Sequence, residues 1–322
     1  MKSAWVRTLL ALGFVIALGC LCNAHGAFFH WNTHRDMLRQ VSVNGILACG
    51  LTLVIISGGI DLAVGSVVGL GAVLFAQLAL HRGASAGVAL LAVLGAGLGT
   101  GLISGTLIAR CKLQPFIATL ALMVFARGLA KLISGGQMVS TAIQRADGSF
   151  AYVDLPRIFQ RLDARVAVGN LAVVTVIFLL CAGATGLVLK QLRYGRYLYA
   201  IGGNEEAARL SGVPVTRVKL LAYGLCGCFA ALAGVCQAAQ EQQGDPEAGA
   251  GYELTAIAIV VIGGTSLAGG RGGMGLTVLG ALTIGYLQKI LSINDVAEAN
   301  RLMLTGAIIV AAVLFQRKRL PS

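Results

Sequence analysis

Charge is what this chain has least of. Asp, Glu, Lys and Arg make up 12% of its 322 residues, where soluble domains carry about 25%. Acids are scarcer than bases, 13 against 25, which leaves a net charge of +12. The bases are scattered between apolar runs, with no basic face and no interleaved aromatics, and this excludes a nucleic-acid surface. Catalytic signatures are missing too: there is no HExxH, no nucleophile elbow and no histidine cluster. Gly263–Gly275 is rich in glycine but lacks the GK[ST] ending of a phosphate loop, and no strand precedes it. None of the eight cysteines (Cys20, Cys22, Cys49, Cys111, Cys181, Cys226, Cys228, Cys236) makes a CxxC pair, and almost all lie in apolar runs. Neither disulfides nor a metal site is indicated, and no catalytic residue is assigned.

What the chain does have is apolar length. Hydrophobic residues make up 57% and the mean hydropathy is +0.82, too much apolar surface for a soluble domain to hide. The reading is an all-α polytopic membrane protein, one domain over residues 1–322, with about ten spans. They fall near 6–23, 41–57, 62–80, 86–109, 115–134, 166–189, 218–239, 253–267, 274–292 and 301–316. Lys2 and Arg7 ahead of Leu9–Cys22 resemble a signal peptide, but the long apolar run and the spans that follow favour a first transmembrane helix. The second and eighth spans are short for a bilayer core of about 30 Å.

Counting Lys and Arg in the loops sets the orientation. With a cytoplasmic N-terminus, the inner loops hold Arg110, Lys112, Lys190, Arg193, Arg196, Arg271, Arg317, Lys318 and Arg319, with Glu205 and Glu206 as their acids. The outer loops collect Asp36, Asp147, Asp163, Asp245, Glu247, Glu253 and Glu298. Both termini and the 190–219 loop are then cytoplasmic. His25, His30 and His34 fall in the first outer loop, as ordinary exposed polar residues. The longest outer loop, Gly135–Arg165, is amphipathic around Phe150–Leu162; a membrane-surface or partner-binding role and a solvated loop fit it equally.

Forty-four glycines punctuate the spans. Gly97, Gly101 and Gly105 recur at i, i+4 and i+8, and Gly65 and Gly69 repeat the spacing; such stripes let helices pack closely in lipid. Two glycine corners, Gly58–Gly65 and Gly263–Gly270, share the pattern GGxxLAxG after a short span. The match predicts a structural repeat, with broken helices whose free N–H and C=O groups can meet a solute. Gly58, Gly59, Gly263, Gly264 and Thr265 are therefore candidates for a path or gate. Asp61 reads first as an N-cap for the third span and second as a gate or solute ligand. Arg127 and Lys131 are the other charges within the spans; Lys131 snorkels outward, and Arg127, deeper, is the better path-lining candidate.

The polar segment Gly202–Lys219, GGNEEAARLSGVPVTRVK, has the grammar of a short, deliberately stopped helix. Asn204 is its N-cap. Glu205 and Glu206 sit at the positive end of the dipole and Arg209 near the negative end. Ala207, Ala208 and Leu210 give a smooth apolar face, and Ser211, Gly212 and Pro214 stop the helix. Two turns are not stable alone in water, so the segment needs a partner. With so few ionisable groups inside the membrane, an ion-coupled carrier is disfavoured, and energy has to enter from outside the chain.

Three stretches carry a resemblance: ISGGIDLAVGSVVGL (Ile56–Leu70), GRYLYAIGGNEEAARLSGVPVTRVK (Gly195–Lys219) and AIAIVVIGGTSLAGGRGG (Ala256–Gly273). In that order, and across about Ser42–Phe315, the chain resembles the permease subunits of ribose-type ABC sugar importers. The resemblance implies a multi-pass subunit of the bacterial inner membrane that translocates a pentose- or hexose-class sugar. It implies a pore of two permease copies, identical or similar, a cytoplasmic ATPase that holds the ATP and magnesium, and a periplasmic sugar-binding protein. This chain then needs no cofactor of its own, and its other partner is membrane lipid. The resemblance matches EEAARLSG to the family's coupling helix, which inserts into a groove on the ATPase. Within this superfamily a branched-chain amino acid or nucleoside permease is the alternative; a stand-alone secondary carrier is a more distant one.

Overall fold

The computed structural model describes residues 2–144, 149–297, 299–304, 306–307 and 310. In chain order the elements are α1 (Lys2–Leu21), α2 (Trp31–Ile56), α3 (Val64–Ala76, prolonged by a π-turn over Gln77–His81), α4 (Ala86–Ala109) and α5 (Pro115–Ser134). A hairpin follows, β1 (Ala142–Gln144) with β2 (Phe150–Tyr152), then α6 (Arg157–Asp163) and a second hairpin, β3 (Arg165–Val166) with β4 (Leu171–Ala172). The rest is α7 (Val173–Gln191), α8 (Arg193–Gly203), α9 (Glu205–Leu210), α10 (Val215–Glu241), α11 (Tyr252–Ile262) and α12 (Met274–Ile293). Residues 299–304, 306–307 and 310 are also helical. Among the described residues eight helices are long and apolar enough to cross a membrane, so the chain is a polytopic membrane protein. Most of the tenth expected span, 301–316, lies outside the described residues, as do Arg145, Asp147, Glu298, Arg317, Lys318 and Arg319.

Three expected spans need correction. The second is not short: α2 begins at Trp31, ten residues before the apolar run, and is 26 residues long. Its charged first turns are held by ion pairs, Arg39 with Asp163 and Arg165 with Asp36, so polarity there does not mark a loop. His34 accordingly lies inside α2, in ring contact with Phe28, Trp31 and Tyr286. The sixth span starts at Val173, because residues 165–172 form the second hairpin. The eighth is only 11 residues, Tyr252–Ile262, too short to cross; the non-helical segment before it supplies the remaining depth.

The centre of the bundle is α2 with α10. In the apolar window of α2, 83% of residues are buried, in that of α3, packed against α10, 78%, and in that of α10, 61%, against 17% for α1 and 28% for α4 and α5. The contact of α4 with α10 rests on glycine. A Cβ on Gly101 would overlap the Tyr223 carbonyl, one on Gly105 would come within 2.9 Å of the Leu220 Cα, and Gly227 lies on the backbone of Gly97. The stripe read in the sequence is helix-to-helix packing here.

The described part of the outer loop leaves Met138, Phe150 and Tyr152 exposed. It folds into a cap at the end of the bundle far from α9. Phe159 of α6 is fully buried, its ring centroid 4.9 Å from that of Phe75. Val139 exchanges backbone hydrogen bonds with Gly244, 2.8 Å each way, and His81 Nε2 lies 2.9 Å from the Ser140 carbonyl oxygen.

Candidate functional site

At the opposite end, α9 has the caps its sequence predicts. The Asn204 carboxamide oxygen accepts the Ala207 N–H at 2.9 Å. Gly212 takes a positive φ of 79°, Val213 N–H donates to Ala208 O and Gly212 N–H to Arg209 O, each at 3.0 Å. That double closure is the Schellman arrangement. Arg209 pairs with Glu205 at 3.2 Å and with Glu206 at 3.3 Å, and Lys219 reaches Glu205 at 2.5 Å. Burial pushes the Glu205 carboxyl upward, but the Lys219 hydrogen bond and the charges of Lys219, Lys112 and Arg209 outweigh it and hold the group below its ordinary range. One expectation is corrected. Ala208 is 5% exposed and faces inward, because the fold of the loop, rather than the helix's own pattern, chooses which face is covered. The free face carries Glu206, Ala207, Leu210 and Ser211, with Leu210 82% exposed.

The helix ahead of α9 ties it to both glycine corners. Gly202, near the end of α8, lies against the Ile56 carbonyl and the Gly270 N–H; a Cβ there would overlap both. Gly270 N–H donates to Ile56 O at 2.9 Å. A Cβ on Gly269 would come within 3.0 Å of the Cα atoms of Gly202 and Gly58, and Tyr199 donates its hydroxyl to Gly272 O at 3.0 Å. Gly58 and Gly59, Gly263 and Gly264, and Thr265 thus belong to two corners packed on each other at one end of the bundle. Their backbone groups are largely engaged: Thr8 Oγ1 donates to Gly263 O at 2.9 Å, and Ser266 N–H to Arg271 O at 2.9 Å. Asp61 is 2% exposed and accepts the Ala63 N–H at 3.0 Å. It closes the turn ahead of α3 and is not the N-cap, a position held by Ala63.

Arg127 is placed differently. After α10 the chain turns back and descends along α3 without forming a helix. Gly244 lies against Ala72, Val73 and Ala76, and Gly249 against Gly65 and Val68, a descent of roughly 10 Å at 1.5 Å per helical residue. Arg127 holds this segment from the side: its Nη1 donates to Ala248 O at 2.9 Å and also to Pro246 O. Gly69 makes room for the guanidinium, and Gly65 for the Glu253 carboxylate and the Gly249 carbonyl. The second glycine stripe therefore admits irregular backbone and charge, not a neighbouring helix. A cavity of about 430 Å³ opens beside it, lined by Ser66, Met123, Arg127, Lys131, Gly251 and Glu253 among others. Lys131 pairs with Glu247 at 2.5 Å.

Glu253 was missed by the sequence reading, which placed it in an outer loop and counted Asp61 as the lone acid of the spans and corners. The available signal was the shortness of the apolar run after it, Leu254–Ile262, in a helix of 11 residues that starts at Tyr252 and is too short to reach from one side of a bilayer to the other.

A bundle of at least eight spans, with a short capped helix at one end and a charged cavity within, is a polytopic membrane protein whose features are those of a permease. Residues 35–313 match the family described as branched-chain amino acid transport system / permease component, and the chain belongs to that family. It is 38% identical over 320 residues to the ribose import permease protein RbsC of Escherichia coli (strain K12), covering 98% of this chain and 95% of the relative. It is 34% identical to the fructose import permease protein FrcC of Rhizobium meliloti, covering 96% and 82%. It is 35% identical to the L-arabinose transport system permease protein AraH of Escherichia coli (strain K12), covering 86% and 80%. No solved structure matches the chain.

Proposed function

We propose that this chain is the membrane subunit of a binding-protein-dependent ABC importer of the bacterial cytoplasmic membrane, carrying a pentose- or hexose-class monosaccharide. The observation that carries the reading is the junction at Gly202. A capped helix with one free face is joined, backbone on backbone, to the two corners that break the bundle's helices. Force applied to α9 is delivered there without passing through flexible side chains. The relatives named for ribose, fructose and arabinose support the sugar. The excess of Lys and Arg in the loops beside α9 supports a cytoplasmic placement of that end, with ten spans and both termini inside.

In this reading a separate ATPase grips the free face of α9 through Glu206, Ala207 and Leu210, a helix-in-groove contact. Asn204, Glu205, Arg209, Ser211 and Gly212 set the length and attitude of the helix. ATP-driven closure moves α9, the junction follows, and the cavity beside Arg127 changes the side to which it opens. A second copy of the permease completes the pore, and a periplasmic binding protein delivers the sugar.

The test is import of labelled D-ribose, D-fructose and L-arabinose into proteoliposomes holding the permease with its co-expressed ATPase and binding protein. Import is expected to need both ATP and the binding protein. Ala207→Trp is expected to lower it at least tenfold with unchanged membrane insertion. Uptake without ATP favours a stand-alone carrier. Uptake of leucine in place of sugars favours the amino acid reading that the family description keeps open, and uptake of uridine favours a nucleoside permease.

A further inference from the structure

We infer that the cavity between α3, α5 and the descending segment 244–253 is a mid-membrane binding site for the sugar, with the Glu253 carboxylate as the group that meets its hydroxyls and the exposed residues Ala250 and Gly251 as its rim. The inference rests on the importer reading above and deepens it.

Depth is the first argument. Gly97 lies near the middle of α4 and packs on Ala231 and Gly227, and Gly71 packs on the same Ala231, so Gly71 marks the middle level of the bundle. Arg127 meets Gly69, roughly 3 Å from that level, and Glu253 meets Gly65, roughly 9 Å toward the α9 end, at 1.5 Å per residue. Both charges lie inside a hydrocarbon core about 30 Å thick. A glutamate in the first turn of a helix is ordinary in water. At this depth a charge is costly and marks a solute path more often than not.

Exposure is the second. Ala250 and Gly251 are exposed in a run of turns ahead of α11, where Ala250 N–H donates to Glu247 O and Gly251 O accepts the Thr255 N–H, each at 3.2 Å. Irregular backbone within a bilayer is tolerated against protein or in a water-filled cavity, never against lipid. This face of the chain is therefore not turned to lipid, and a second copy facing it would enclose the cavity between the two.

Chemistry is the third. The cavity volume, about 430 Å³, falls in the range of small-molecule sites. Its wall combines the Glu253 carboxylate, which accepts the N–H groups of Gly251 and Glu253 and keeps lone pairs for a hydroxyl, with a guanidinium of which one nitrogen is engaged on Pro246 and Ala248. It offers Met123 and Val124 as apolar contacts and no aromatic platform. A wall of this kind holds a polyhydroxylated ring weakly and releases it, as a transit site must.

The test uses the full permease with its ATPase and binding protein in proteoliposomes, and the sugar from the ribose, fructose and arabinose panel that the parent imports. Glu253→Gln is expected to cut import at least tenfold while binding-protein-stimulated ATP hydrolysis stays within twofold of the parent. Import at the parental rate overturns the site. A parallel fall of import and hydrolysis assigns Glu253 to the moving bundle and also overturns it. A parent complex that imports no sugar, or imports without ATP, overturns the importer reading instead. Labelling gives an arm independent of that variant. In the complex during turnover, Ala250→Cys is expected to react with a membrane-impermeant methanethiosulfonate at least tenfold faster than Leu180→Cys on the exposed face of α7, and to be slowed by the imported sugar. Equally slow reaction at both positions, or fast reaction that saturating sugar leaves unchanged, overturns the proposal.

Discussion

Gly65 and Gly69 in α3 have the same spacing as Gly97, Gly101 and Gly105 in α4, yet the two stripes admit different things. Against α4 lies a straight helix, α10, whose Gly227 lies in turn on the Gly97 carbonyl. Against α3 lies a chain that is not helical, together with the Glu253 carboxylate and the Arg127 guanidinium. A small-residue stripe states that something comes close; it does not state what. The α4 stripe is a fixed weld between two long helices. The α3 stripe opens onto a cavity and onto polar groups that lipid cannot satisfy.

The sharpest way to break this comparison is to fill both stripes. Gly101→Leu drives a side chain into the Tyr223 backbone, with regular helix on each side and nowhere to shift. We expect a loss of about 3 kcal/mol or more, at the upper end for overpacking, read as loss of monodisperse protein after detergent extraction. Gly65→Leu pushes on Glu253 and on the Gly249 carbonyl, in a segment whose next two residues are exposed. It is expected to extract and purify while losing sugar import. If the two variants fail in the same way, the stripes are not different in kind.

What the sequence displayed and what it hid divide along the same line. The caps of α9 were legible because Asn204, Ser211 and Gly212 act within a few residues of themselves. The glycine corners were legible as helix breaks for the same reason. The inward turn of Ala208 was hidden, since a six-residue helix has too few positions to establish a covered face. The start of α2 at Trp31 was hidden because distant partners, Asp163 and Arg165, support its charged turns. Glu253 was hidden for the most general reason. Its depth depends on residues 244–249 lying along α3, a contact between segments some 180 positions apart in the chain.

Arg127→Ala sharpens the comparison from the polar side. It leaves Pro246 O and Ala248 O without their donor within the bundle. An unsatisfied buried polar group costs about 1–3 kcal/mol, so a loss of about 2 kcal/mol is expected, with the segment beside α3 loosening and the α4–α10 weld unchanged. Arg127→Lys keeps a donor but not the fork, and should recover about half. Hydrogen exchange measured by mass spectrometry separates the regions: peptides covering 242–256 should exchange faster in Arg127→Ala, and those covering 97–105 should not. Faster exchange across both regions would place Arg127 in the general core.

The smallest effect is expected at a third close approach, between α11 and α12. Gly280 lies on the Ile259 carbonyl and Gly263 on that of Leu276, helix on helix as at α4. Here the end of α11 is also capped from outside, by Thr8 Oγ1 on Gly263 O at 2.9 Å. Thr8→Val keeps the shape of the side chain and removes the donor. One neutral hydrogen bond is worth about 1 kcal/mol, and the rest of the α11–α12 contact does not depend on it. Denaturation in mixed micelles should therefore show a loss of about that size, with sugar import within twofold of the parent. A loss several times larger would mean that α1, the least buried of the eight described spans, is held chiefly by this one hydroxyl. The weld between α11 and α12 would then depend on a side-chain cap in a way that the weld between α4 and α10 does not.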